Sequence, residues 1–304
     1  MSRYAVIDVG TNSVKFVVAD RLDDGSWRTI VERSEVTRLG EGLDESGELQ
    51  PEPMARTVEA IAGMVEEAQR EGVAEIAAVG TAGLRIASNS AAFVADVQGR
   101  TGVEIEVISG EEESRLAYVA VTAALGTDEG TLVVFDTGGG SSQFTFGHAG
   151  QVDERFSVNV GAVKYTERFG LDGPVDEATV QAALEAVAAD LSALDGRPAP
   201  DTLVGMGGAV TNLTAVGLEL EPYDATRIQG ATLAVGEIDR QIELYRTRTA
   251  DERRELRGLQ PKRAEVILTG ACIVRTIVTT LGKDACVVSD RGLRHGVLAE
   301  RFGG

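Results

Sequence analysis

Lysine is nearly missing from this chain: Lys15, Lys164, Lys262 and Lys283 are the only four, so arginine must carry most cationic contacts. Histidine is as scarce, and His148 and His295 lie far apart and fit no metal-ligand motif. The only two cysteines, Cys272 and Cys286, stand in apolar contexts without metal-ligand spacing. They read as buried free thiols of a reducing compartment. No apolar run approaches the roughly 18 residues of a membrane helix. Met1-Ser2-Arg3-Tyr4 leads directly into a strand-like segment containing an aspartate, unlike a signal peptide. These absences place the chain in the cytoplasm, away from a membrane. Gly-x-x-x-x-Gly-Lys-Ser/Thr, His-Glu-x-x-His and Gly-x-Ser-x-Gly are all missing, which removes support for P-loop, zinc-protease and serine-triad chemistry. A net charge of −19 argues against broad nucleic-acid binding. The same field opposes any polyanionic ligand. A phosphate site must therefore be local, built from backbone N–H groups, a few arginines and a divalent cation.

What is present is an ordinary globular balance, 43% hydrophobic and 25% charged over 304 residues, enough for two domains. Tyr4 to Asp20 reads as two apolar strands around the turn Gly10-Thr11-Asn12-Ser13, and Thr29 to Leu39 as a third strand. Met54, Val58, Ile61, Val65 and Ala68 recur at helical spacing, closed by Gly72. A strand at 76–79, a helix at 91–98 and a strand at 103–108 complete a mixed sheet flanked by helices.

The pattern then restarts. A shift of 128 residues lays Val6 to Ser13 on Val134 to Ser141, matching Asp8 with Asp136, Gly10 with Gly138 and Ser13 with Ser141; Phe16 falls on Phe144. We read this as an internal duplication. The second half continues with a helix near 177–194, a strand at 202–206, helices near 236–247 and 262–281, a strand at 285–289 and a last helix at 292–302. The expected division is 1–125 and 126–290, with the last helix, about 291–304, joined to the first domain. Leu125 to Gly130 would be the hinge.

Both hairpins place an aspartate at a strand end before a glycine- and hydroxyl-rich turn. Such turns form concave anion nests, and the aspartate can hold a hydrated Mg²⁺; they also serve as plain structural turns. Gly205-Met206-Gly207-Gly208 follows a strand and opens a helix, either to meet an anion or simply to pack closely. Ser109 and Glu112 have capping-box spacing, but Glu113 lies roughly 100° further round the helix and is free to face a cleft. Arg85 follows a buried strand and suits either a phosphate or a surface ion pair.

As an ordered set these segments resemble the exopolyphosphatase/guanosine pentaphosphate phosphohydrolase family of the actin-like superfamily. The matching stretches are Ala5 to Ser13, Thr81 to Ala87, Val107 to Leu116, Phe135 to Ser142, Gly161 to Phe169, Gly205 to Gly208 and Arg291 to Leu298. The resemblance implies an α/β chain of two actin-like (ribonuclease H-like) lobes, each a mixed β-sheet flanked by helices, with the active site in the cleft between them. It implies Glu113 as the water-activating base and Arg85 and Asp136 as catalytic partners. Phosphate binding falls to Gly10, Thr11, Asn12, Ser13 and Lys15, to Gly138, Gly139, Gly140 and Ser141, and to Lys164, Gly207 and Gly208. Mg²⁺, or Mn²⁺ in its place, would be held by Asp8, Asp136 and Gln143. Gln143 stands where the family often has glutamate, and Lys164 where it usually has arginine. The chain also ends at Gly304 without the long C-terminal extension of larger members, which puts processivity on long chains in doubt. The implied substrate is inorganic polyphosphate or guanosine pentaphosphate, with no nucleic-acid or membrane partner and with homodimerisation as a family expectation. An ATP-dependent kinase and a non-catalytic guanosine-tetraphosphate sensor are the rival readings.

Overall fold

The computed structural model describes residues 2–126 and 130–303. The chain divides into two compact units, residues 1–120 with 293–304, and residues 121–292. The division falls inside a helix, Gly110–Leu125, and not in the expected hinge, of which residues 127–129 lie outside the described residues.

Unit 1 contains β1 (Ser2–Val9), β2 (Ser13–Arg21), β3 (Trp27–Val36), α1 (Leu43–Ser46), α2 (Pro51–Arg70), β4 (Glu75–Gly80), α3 (Ala82–Ile86), α4 (Ser90–Thr101), β5 (Ile105–Val107) and the start of α5 (Gly110–Leu125). The sheet order is β3-β2-β1-β4-β5, antiparallel on the hairpin side and parallel beyond β1. Strand side chains alternate between faces, and β1 shows the consequence. Ala5, Ile7 and Val9 join the core formed with Val58, Ile61, Met64 and Phe93 of α2 and α4. Val6 turns the other way, against Leu116 of α5 and Leu293, Val297 and Leu298 of the last helix. A strand covered on both faces reads as a continuous apolar run, which is how β1 stands out in the sequence.

Unit 2 holds β6 (Thr131–Thr137), β7 (Ser142–His148), β8 (Gln151–Val158), α6 (Ala162–Phe169), α7 (Glu177–Asp190), β9 (Thr202–Met206), α8 (Gly207–Gly217), α9 (Ala225–Ile228), β10 (Thr232–Ala234), α10 (Val235–Arg246), α11 (Ala250–Arg254), α12 (Ile267–Thr280) and β11 (Ala285–Val288). The final helix α13 (Leu293–Phe302) belongs to unit 1. Here the order is β10-β11-β9-β6-β7-β8. Helix α12 is almost wholly buried, from Ile267 to Val278, and forms the centre of this core. Its predicted start at residue 262 is corrected: Pro261–Arg263 forms a separate 3₁₀ turn, because Pro261 opens a tighter turn that ends before Ile267. Cys272 and Cys286 are buried free thiols, pushed up to about 12 by burial.

The duplication is visible in the strand register. Asp8 faces Lys15 and Val9 faces Val14 across the first hairpin; 128 residues on, Asp136 faces Gln143 and Thr137 faces Ser142. Each hairpin continues into a third antiparallel strand on one side and a parallel strand on the other. Both units are thus mixed sheets flanked by helices, the α/β class expected.

Candidate active site

In unit 1 the β1–β2 turn is closed by Gly10 N–H donating to Ser13 O at 3.1 Å. The segment after β3 clamps its carbonyls. Thr37 and Arg38 N–H both donate to Asn12 O (3.2 and 2.9 Å), and Gly40 N–H donates to Thr11 O at 2.8 Å. Gly40 must lack a side chain, because a Cβ there would run into Thr11 Cγ2. A planar trans peptide points its C=O and N–H in opposite directions. Holding the Thr11 and Asn12 carbonyls therefore leaves the N–H groups of Asn12 and Ser13 on the other side of the turn, the arrangement of an anion nest. Asp8, at the strand end, is only 3% exposed, and its Oδ2 lies 3.6 Å from Lys15 Nζ.

Beside this turn, Thr81 N–H donates to Val9 O (3.2 Å) and so fixes the start of α3, which carries Arg85. Helix α5 opens after Ser109, whose Oγ accepts from Glu112 N–H at 3.1 Å. The capping box expected there is only half formed. The Glu112 carboxylate does not turn back to the cap but takes Arg115 Nε and Nη2 at 2.9 and 2.8 Å, which holds it below the usual carboxylate range. Glu113 faces elsewhere: its Oε2 accepts from Arg85 Nη1 at 2.8 Å, and the same Nη1 donates to Ile108 O at 3.0 Å. The two side chains are 27% and 30% exposed, so this pair meets solvent and can exchange partners. The ion pair foreseen for Arg85 is real, and its partner is the candidate base.

In unit 2 the β6–β7 turn closes in the same way, Gly138 N–H to Ser141 O at 2.9 Å. Its clamp is a helix start. Ala162 and Val163 N–H donate to Gly138 O and Gly139 O, each at 2.9 Å, so the free donors of the first turn of α6 are spent on the loop. Gly161 presses so closely that a Cβ would collide with the Gly139 carbonyl and Gly140 backbone. Lys164 Nζ folds back to Asn159 O at 3.0 Å. Asp136 is partly exposed, and a side chain on Gly207, whose φ is 83°, would strike its Oδ1. The start of α8 thus already faces a carboxylate, so the Gly205 to Gly208 turn answers first to Asp136.

Sequence reasoning missed Arg263. Its guanidinium packs on Gly208, so closely that a Cβ there would collide with Nη2. With Thr137, Gly138, Gly139 and Val163 it lines a cavity of about 30 Å³. Burial depresses its pKa, and the nearby Asp136 works against that shift. Its Nε is buried without a hydrogen-bond partner among the described residues. Neighbouring Ala264 is tied by Arg253, which is fully buried and donates to the carbonyls of Tyr245, Leu171, Gly173 and Ala264 at 2.8–3.3 Å. The one sequence signal for Arg263 is its place between Pro261 and an apolar helix. Its neighbours Asp136 and Gly208 are far away in the chain.

Among the described residues no three His, Cys, Asp or Glu side chains gather as a metal cage. A hydrated Mg²⁺ keeps several waters and commonly binds through one or two carboxylates plus substrate phosphates. Asp136, partly exposed beside the second turn and opposite Gln143, fits such a role. Asp8 fits it poorly, since the Lys15 ammonium already stands next to its carboxylate. The two histidines stay outside: His148 Nδ1 contacts Asp153 at 2.6 Å, and His295 is buried near Glu32. No helix among the described residues is long and apolar enough to cross a membrane.

Comparison with known proteins follows the same lines. The chain is 30% identical to Exopolyphosphatase 2 of Mycobacterium tuberculosis, over 98% of both chains. It is 30% identical to the guanosine-5'-triphosphate,3'-diphosphate pyrophosphatase of Aeromonas hydrophila, matching 97% of this chain and 58% of that one. It spans only 46% and 58% of the length of two longer relatives. The crystal structure of the type II variant of the Aquifex aeolicus Ppx/GppA phosphatase superposes with a TM-score of 0.90 at 34% identity, covering 99% of this chain and 100% of that one. Residues 17–303 match the model of the Ppx/GppA phosphatase family, and the chain belongs to that family.

Proposed function

We propose that this chain is an exopolyphosphatase that hydrolyses the terminal phosphoanhydride of inorganic polyphosphate and releases orthophosphate. The observation that carries the reading is the Arg85–Glu113 pair at 2.8 Å beside the first glycine turn. Phosphoryl transfer is catalysed chiefly by positioning and charge stabilisation. Unit 1 supplies the turn N–H groups, Arg85 for the phosphate oxygens and Glu113 for the water. An incoming phosphate competes for Arg85, and a guanidinium that turns to phosphate releases the Glu113 carboxylate to orient a water and take its proton. Within unit 2, the second turn with Lys164 and Arg263 as cations is a further candidate phosphate site, where Asp136 with the Gln143 amide would hold Mg²⁺. When bound, that ion neutralises and orients phosphate oxygens. The mycobacterial relative, named an exopolyphosphatase and matched over 98% of both chains, supports this substrate.

A second reading, guanosine pentaphosphate as substrate, draws on the Aeromonas relative. Phosphate release with Mg²⁺ from tripolyphosphate, long polyphosphate and guanosine pentaphosphate separates the two. Glu113→Gln is expected to lower kcat by about 10²–10⁴-fold. Retention of more than about a third of wild-type turnover would remove Glu113 from the role given to it.

A further inference from the structure

Unit 1 has twelve arginines, and nine of them pair with a carboxylate among the described residues. Arg21 lies over the Trp27 ring at 5.1 Å, and Arg70 closes helix α2. Arg38 is different. It is exposed, and among the described residues no carboxylate lies within ion-pair distance of it. The two nearest candidates in sequence are both taken: Glu35 by Arg33, and Glu41 by Arg56 Nη2 at 2.9 Å, the same arginine that holds the Thr37 carbonyl.

The backbone at this position makes the choice of residue stranger. Arg38 has φ 50°, one of three non-glycine residues with positive φ among those described. The cause is local: consecutive N–H groups of Thr37 and Arg38 converge on the Asn12 carbonyl, and the Arg38 carbonyl accepts from Glu41 N–H at 2.9 Å. Every one of these bonds is main-chain, so glycine would make them all and be more at ease in the left-handed region. Local stability therefore disfavours an arginine here. Conflicts of this kind concentrate at functional positions. Because Val36 pairs with Ser13, the segment carrying Arg38 leaves the sheet at the same end as the first glycine turn.

We propose that Arg38 is a substrate-binding residue that grips the phosphate chain beyond the phosphoryl group being removed. The inference rests on the phosphohydrolase reading above. An uncommitted guanidinium on a chain of net charge −19 gives a polyanion a local foothold that the overall field denies it. It is also suited to taking two phosphate oxygens at once.

The test is steady-state kinetics on tripolyphosphate with Arg38→Gly, Arg38→Asn and Arg38→Lys, each with a thermal melt. Glycine and asparagine both tolerate positive φ, so neither strains the backbone. KM is expected to rise about tenfold in both, by more than kcat falls. The Tm should hold or increase, Arg38→Lys should recover most of the affinity, and the difference should narrow as salt screens the contact. An unchanged KM, or a raised KM with a lowered Tm and no recovery by lysine, would overturn the proposal. If the wild-type protein releases no phosphate at all, the phosphohydrolase reading fails. Calorimetric titration of tripolyphosphate then decides the Arg38 question alone: weaker binding by Arg38→Gly supports it, and equal binding overturns it.

Discussion

The two glycine turns share one closing hydrogen bond, Gly10 to Ser13 and Gly138 to Ser141, yet they are held and charged differently. The first is clamped by an irregular segment, 37–40, whose tightest point is a threonine methyl group against Gly40. The second is clamped by the start of α6, where Gly161 meets main-chain atoms that have nowhere to rotate. The aspartates diverge as well. Asp8 is buried beside a lysine, whereas Asp136 is partly exposed, faces an amide and has a half-buried arginine for company. Duplication preserved the scaffold and let the cross-strand partner change. One aspartate stands beside a lysine of its own hairpin, and the other faces an amide.

That contrast is most directly broken by exchanging the carboxylates. Asp136→Asn should lower turnover by about 10²-fold. Asp8→Asn should cost visibly less activity, and equal losses in phosphate-release assays would erase the distinction. Next in size is the clamp. Gly161→Ala should lower the melting temperature of unit 2 by roughly 4–8 °C, since main-chain atoms must give way. Gly40→Ala should cost less and be largely relieved by adding Thr11→Ser, which removes the colliding methyl group. Smaller still, Gln143→Glu places a second carboxylate opposite Asp136. It should reduce the Mg²⁺ concentration for half-maximal activity by about threefold to tenfold, read from a metal titration.

The weakest expected effect separates the units by pH. Arg3 and Arg28 hold the Asp20 carboxyl in unit 1 down at about 2, from an ordinary 3.8. A depressed carboxylate stabilises the fold fully above its unfolded pKa and ceases to as pH falls through the folded one. Acid should therefore withdraw this contribution between about pH 4 and 2, and Asp20→Asn should flatten that limb of a pH-stability curve. Both thiols lie in unit 2, so their labelling rate reports on that unit and should be indifferent to the Asp20 substitution.

Much of this was legible in the sequence because it is local or repeated. The 128-residue shift foretold a common turn, and the structure adds the matching register of Asp8 with Lys15 and Asp136 with Gln143. Glu113 stood out because helix geometry turns it away from Glu112, and the two carboxylates do find different arginines. What stayed hidden depends on distant segments. Arg263 reaches Gly208 only through the fold, and Arg253 shows no partner in sequence because it binds main-chain carbonyls. The capping-box reading overreached for a related reason: spacing permits a carboxylate to cap, but Arg115 one turn along competes for it.

The return of α13 to unit 1 carries a consequence for synthesis. Val6 and Val17 need Leu293, Val297 and Leu298 to cover them, and those residues emerge after the whole of unit 2. At about 5–20 residues per second the ribosome takes roughly 10–35 s to make the intervening segment. Unit 2, contiguous in the chain, is able to complete its core first, although it is encoded second. Throughout that interval this face of the earliest sheet has only Ile108 and Leu116 of its cluster to cover it, which leaves the nascent N-terminal half with exposed apolar surface of the kind chaperones bind.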